Sequence, residues 1–168
     1  MTTATAPATK SVTSAEGRDL ILTRHIAAPR ERVFRAWTDP EMIVKWFTPA
    51  PWKTASARMD VRAGGSTEVV MESPEGQKVP NPGVFLEVVP NEKLVITNAY
   101  TSAWEPAEKP SGPGFFMTFV LTFAEENGGT RYTARVRHWS IADREQHEQM
   151  GFHQGWAIAT EQLAALVE

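Results

Sequence analysis

Phe115-Phe116-Met117-Thr118-Phe119-Val120-Leu121-Thr122-Phe123 is the stretch on which the fold of this chain turns. Its odd positions are all large and apolar, whereas threonine recurs among the even ones. Side chains alternate between the two faces of a strand, so this is a strand with one heavy apolar face. Glu125-Glu126-Asn127-Gly128-Gly129 follows and reads as a hairpin turn. Thr130 to Trp139 then returns with Tyr132, Ala134, Val136 and His138 inward and Arg131, Thr133, Arg135 and Arg137 outward. Such a face needs a second layer. The segment Asp143 to Val167 supplies it as one long helix, interrupted by Gly151 and Gly155. Its stripe runs through Met150, His153, Trp156 or Ala157, Thr160, Leu163 and Leu166 or Val167. Two glycines four apart suggest a close approach of this helix to the sheet.

The pattern upstream completes the layers. Asp19 to Ala27 is a strand with Leu20, Leu22, Arg24 and Ile26 on one face. Pro29 opens a helix whose apolar positions are Val33, Phe34, Ala36 and Trp37. Asp39 caps a second helix, with Pro40 in its first turn and Met42, Ile43, Trp46 and Phe47 as its buried stripe. Pro49 and Pro51 end it. Strands are expected at Ala55 to Val61, around Thr67 to Met71, at Gly83 to Val89 and at Leu94 to Tyr100. The Ala63-Gly64-Gly65 turn needs the positive φ that glycine adopts without steric cost. Ser102 to Gly114 is a long loop carrying Trp104 and is placed to cap a cavity mouth. The result is an α+β domain: a curved antiparallel sheet around a long C-terminal helix, with two short helices after the first strand.

Composition narrows the function. The chain has 168 residues and a formal charge of −3, with 17 Lys plus Arg against 20 Asp plus Glu. One domain is expected over residues 18–168, with residues 1–17 as a flexible tail. The charge balance and the alternation of Arg131, Arg135 and Arg137 around Thr133 describe a solvated strand face, not a nucleic-acid surface. No cysteine is present, which removes disulfides and thiolate chemistry. No apolar run is long enough for a membrane span and none resembles a signal peptide. A cytoplasmic location is expected.

The chemistry-bearing residues are few. His25, His138, His147 and His153 are the histidines. His147 and His153 are six apart and do not share a helix face, and no metal or cofactor motif appears, so neither is expected. There is no nucleophile elbow. His138 and His153 can meet across a sheet–helix cavity, where an enclosed site shifts proton affinities. With Tyr100 or Glu87 they are the candidates for general acid–base work.

Several pieces together resemble a known family: Arg24-His25-Ile26-Ala27-Ala28-Pro29, Val33 to Glu41, Trp46-Phe47-Thr48-Pro49, Asp60 to Gly65, Gly83 to Pro90, Gly129-Thr130 and Gly155-Trp156. They resemble the START-like, or SRPBCC, superfamily, and within it the branch named after the activator of the ninety-kilodalton heat-shock chaperone ATPase. The resemblance covers residues 19 to 168 and implies a helix-grip fold with a cavity. It does not imply a reaction. Phe47 stands where the resemblance would place a second tryptophan, and Glu68 where it would place an arginine.

Three functions remain open. The first is binding of a small hydrophobic or aromatic molecule in the cavity, with Met71, Phe85, Tyr100, Phe119, Leu121, His138, His153 and Ala157 as lining residues. The second is a cyclase, dehydratase or hydrolase with His138 or His153 as base. The third, ranked last, is a chaperone-docking module. An exposed sheet edge would also allow a homodimer.

Overall fold

A computed structural model of the chain describes residues 10–110 and 114–168. Among these residues, eight strands form one antiparallel sheet in the order β1-β2-β8-β7-β6-β5-β4-β3. The strands are β1 (Val12–Glu16), β2 (Asp19–Ile26), β3 (Lys53–Met59), β4 (Ser66–Glu72), β5 (Lys78–Val89), β6 (Lys93–Thr97), β7 (Met117–Glu126) and β8 (Gly129–His138). Helices α1 (Arg30–Thr38) and α2 (Pro40–Ile43) join β2 to β3, and α3 (Ile141–Gln149) and α4 (Phe152–Val167) follow β8. This is the α+β, helix-grip architecture expected from the residues.

The two-residue repeat sets the faces. Leu20, Leu22 and Ile26 on β2 and Tyr132, Ala134 and Val136 on β8 have no solvent exposure. Register carries the same face onto Phe119 and Leu121 of β7, and then onto Ile96 and Leu94 of β6. Helix α4 lays Phe152, Ala159, Leu163 and Val167 into the core. Helix α1 closes the opposite end of the sheet's concave side. Its Phe34 meets Phe123 edge-on at 5.5 Å, and the Trp37 indole N–H donates to the Tyr132 hydroxyl at 3.1 Å. Trp46 packs on Trp37 at 5.0 Å and donates to the Ala36 carbonyl, so both indole N–H groups are satisfied inside.

Arg24 is the polar exception on the inner face, 4% exposed. Its Nε and Nη2 donate to the two Glu161 oxygens at 2.9 Å each, and its Nη1 donates to Glu168 at 2.8 Å and to the His25 carbonyl at 2.7 Å. A planar guanidinium can satisfy all these acceptors at once. The fork ties β2 to the last turns of α4.

Four expectations change. Within the expected 1–17 tail, Val12–Glu16 pair with β2, and the Lys10 amide donates to Glu161. The tail's first nine residues lie outside the described ones. The single long helix is two, because Gly151 at φ +97° ends the run after Met150. Ser140 caps α3 by accepting from the Asp143 amide at 3.1 Å. The break leaves Met150 exposed, whereas Ala157, Thr160, Leu163 and Val167 keep the expected buried stripe and Phe152 and Ala159 join it. Gly155 faces Pro49, 3.8 Å from where its Cβ would lie, and not the sheet. Finally, β5 starts at Lys78 and runs through Pro80 and Pro82. Those residues pair with β4 alone, so the missing amide N–H groups are not needed on the other side.

Candidate functional site

One row of inner-face residues crosses the sheet through Leu20, Val136, Phe119 and Ile96 to Phe85 of β5, and Thr67 and Met59 extend the inner face beside it, opposite Gly83. Leu20 and Val136 are fully buried beneath Phe152 of α4. Phe119, Ile96, Thr67 and Met59 are only partly buried. Phe85 faces Ile96 across the β5–β6 pair, and two residues before it Gly83 lies opposite Thr67, with Ile96 Cγ2 and Thr67 Cγ2 each 3.6 Å from where a Cβ would be. A Cβ there would also lie 2.9 Å from the Thr97 carbonyl oxygen. Glycine thus leaves a notch in the floor of an apolar groove. Trp156 of α4 forms one wall, edge-on to Phe119 at 5.2 Å. Phe47 packs against the same core from the α2–β3 loop. That loop is held to α4 by Gln162, whose Nε2 donates to the Trp46 and Thr48 carbonyls at 2.7 and 2.9 Å.

The expected lining residues separate into groups. Met71, Phe85, Phe119 and Leu121 share the inner face. Phe85 and Leu121 are core, at 1% and 0% exposure, whereas Met71 and Phe119 are partly open. Tyr100 does not join them. It is 43% exposed and lines a cleft of about 260 Å³ with Arg58, Glu68 and Asn98, which also reaches Thr67 and Gly83. Residue parity explains why: Arg58 and Glu68 are paired with each other and alternate with inward Ala57 and Val69. His153 and Ala157 also lie elsewhere. His153 Nδ1 meets the Thr13 hydroxyl of β1 at 2.8 Å, and Ala157 sits one helical turn on, towards β1. Trp104, at φ +59°, seats its indole over Gly64, 3.1 Å from where a Cβ would be. Residues 111–113 of its loop lie outside the described residues.

His138 meets a histidine, but it is His147 and not His153. His138 Nδ1 lies 2.9 Å from the Arg18 carbonyl, and its Nε2 lies 2.9 Å from His147 Nδ1. The His147 ring is flanked by Phe115 and Phe152, each at 5.1 Å, and Phe152 leads to Trp156 at 5.4 Å. The pair therefore stands behind the buried Phe115 and Phe152. Burial lowers the proton affinity of His138. Burial first, then the neighbouring His138 and His153, pushes the His147 pKa down to about 4. Nearby, His153 Nε2 donates to Glu148 at 2.8 Å. That bond, with Arg144 adding to it, holds the Glu148 carboxyl below its ordinary value. The sequence reading missed His147 because it extended one helix back through residue 151. Among the described residues, no group of three or more His, Asp or Glu side chains is placed to hold a metal ion. No helix among them is long and apolar enough to cross a membrane.

Residues 27–168 match the family described as Activator of Hsp90 ATPase homolog 1-like protein. No curated protein matches the sequence significantly. Among solved structures, a crystal structure of a protein from Nitrosomonas europaea is 42% identical with a TM-score of 0.83, covering 91% of this chain and 95% of that one. A crystal structure of a Mycobacterium smegmatis protein is 26% identical at TM-score 0.76, covering 96% and 98%. An AHSA1-like protein from Aeromonas hydrophila is 21% identical at TM-score 0.67, covering 88% and 92%, and shares the fold.

Proposed function

The chain belongs to the Activator of Hsp90 ATPase homolog 1-like family, and from that premise we propose that it is a cytoplasmic module binding a small apolar or aromatic molecule in the sheet–helix groove. One observation carries this reading. Leu20 and Val136 at one end of the inner face are fully buried, whereas Phe119, Ile96, Thr67 and Met59 are partly open, with Gly83 leaving a gap between the Ile96 and Thr67 methyls. Partly exposed apolar side chains gathered in a concave surface are what a ligand of that chemistry covers. Met59 and Met71 add adaptable walls.

Native mass spectrometry of the protein as purified from cells, followed by denaturing extraction, tests the reading. The expected result is a released apolar molecule, lost in the Ile96→Glu variant while the fold persists by circular dichroism. A bare polypeptide mass, together with no binding of an environment-sensitive apolar dye, overturns it.

A docking role is the second reading. It is favoured by Trp139 and Ile141, 55% and 53% exposed, next to Phe116 whose ring is 5.8 Å from Trp139. Such a patch is a place for a protein partner. Stimulation of a chaperone ATPase that Trp139→Asp removes would favour this reading over the first. Strand pairing at the β1 or β3 edge is where a homodimer would form.

A further inference from the structure

The two edges of the sheet are built differently. Strand β3 is guarded: its register with β4 shifts between Thr54 and Ser56, Lys53 and Arg58 place charges on it, and Pro49 and Pro51 lead into it. These are devices that keep an edge from pairing. Strand β1 has none of them. Val12-Thr13-Ser14-Ala15 is uncharged, contains no proline and follows β2 without a shift. The strand is open, with Val12 69% exposed and only Thr13 partly buried. It is also held still. The Lys10 amide and the Ser11 hydroxyl both donate to Glu161, and the Thr13 hydroxyl meets His153 Nδ1 at 2.8 Å. Register gives the direction of its backbone groups. The His138 amide donates to the Arg18 carbonyl, which makes Asp19 and Arg137 a non-hydrogen-bonded pair. Asp19 therefore turns its N–H and C=O toward β1, where it faces Glu16. Counting by two, Ser14 and Val12 also bond to β2, and Thr13 and Ala15 point their N–H and C=O groups away from it. Among the described residues, no strand lies beyond them.

We infer that β1 is the docking edge for a second copy of this chain, paired antiparallel about a two-fold axis at Thr13. The Thr13 N–H of each copy donates to the Thr13 carbonyl of the other. Val12 then lies opposite the partner's Ser14, and Lys10 opposite the partner's Glu16. These even positions form the non-hydrogen-bonded pairs of the new contact, in which side chains stand closest. Moving the axis to Ser14 would set Lys10 opposite the partner's Arg18, so charge selects the register at Thr13. The same patch serves both copies, and the guarded β3 edges stop association at two. This narrows the edge pairing named above to one strand and one register, and it stands apart from the groove reading.

Sedimentation equilibrium of the full chain tests this, and the unaltered protein is expected to dimerise with rising concentration. Glu16→Lys and Lys10→Glu each turn two cross-strand attractions into repulsions and should weaken the dimer about tenfold. The contact of Glu16 within its own chain, to Arg135 at 3.8 Å, is exposed and contributes little to folding. The double variant Lys10→Glu/Glu16→Lys sets opposite charges face to face again and should recover most of the loss. Thr13→Pro removes an outward N–H and no bond to β2, and should leave a monomer. A monomer at every concentration overturns the proposal, as does a dimer indifferent to these variants. A double variant no better than the singles overturns the register and the proposal with it. Should Thr13→Pro not fold, amide exchange in the unaltered protein decides. A Thr13 amide that exchanges more slowly as concentration rises supports the edge dimer, and one independent of concentration overturns it.

Discussion

Leu163 and Met71 face the same concave space, yet one is sealed and the other is half open. Around Leu163, the strands β2 and β8, helix α1 and the end of α4 leave no gap, and even an arginine and a tyrosine are enclosed with partners. Around Met71, strands β3 to β6 carry the same alternation but reach beyond the cover of α4. The difference teaches that an apolar strand face reports what needs covering, whereas the helix decides how much is covered. One half of the sheet is closed and the other leaves apolar side chains partly open.

That contrast can be broken by substitution. Leu163→Ala should cost about 4 kcal/mol, since a fully enclosed leucine leaves a cavity behind. Met71→Ala should cost less than about 1 kcal/mol, because solvent already reaches its side chain. Urea denaturation of both variants checks this, and equal losses would erase the distinction between the halves.

Acidity probes the border between them. His147 is held near 4 in the folded chain against an ordinary value of 6.5. The unfolded chain therefore binds more protons between those values, so stability is fully present above 6.5 and falls as pH drops towards 4. The loss should approach about 3 kcal/mol over that window. Measured from pH 7 to 5, the slope should shrink in His147→Phe, the remainder belonging to His138, whose proton affinity burial also lowers. A slope unchanged by the substitution would assign the buried proton site elsewhere.

Within the closed half, the smallest effect is expected from Tyr132→Phe. It strips the acceptor from a buried indole N–H and should cost about 1 kcal/mol. No change in thermal stability would show that solvent reaches Trp37 and that the closed half is less sealed than its geometry indicates.

The strand faces were legible because alternation is local. Leu20, Leu22, Arg24 and Ile26, and the set from Tyr132 to His138, needed only parity to be placed. The Asp39 cap was legible for the same reason, its side chain accepting from the Glu41 amide at 2.9 Å. The stripe of the last helix was legible from Ala157 to Val167, but its break at Gly151 was not. Gly151 fits a helix interior and a break equally well in a sequence, and the break decides which way His153 points. His147 went unnoticed as a neighbour of His138 because Ser140, only two residues after His138, starts a helix that folds back over the strand end. A serine followed three residues later by aspartate was the signal available. Tyr100 misled through length: β6 stops at Thr97, so counting parity on to residue 100 had no strand beneath it.

Arg24 has a consequence in time as well as in space. Its partners Glu161 and Glu168 lie 137 and 144 residues further along the chain. During synthesis the inner face of β2 is made long before anything can cover it, and contacts this distant in sequence close late. A charged guanidinium in the middle of Leu20, Leu22 and Ile26 keeps that waiting strand from being a continuous apolar ribbon. The cation that ends as a rivet begins as a gatekeeper against wrong pairing.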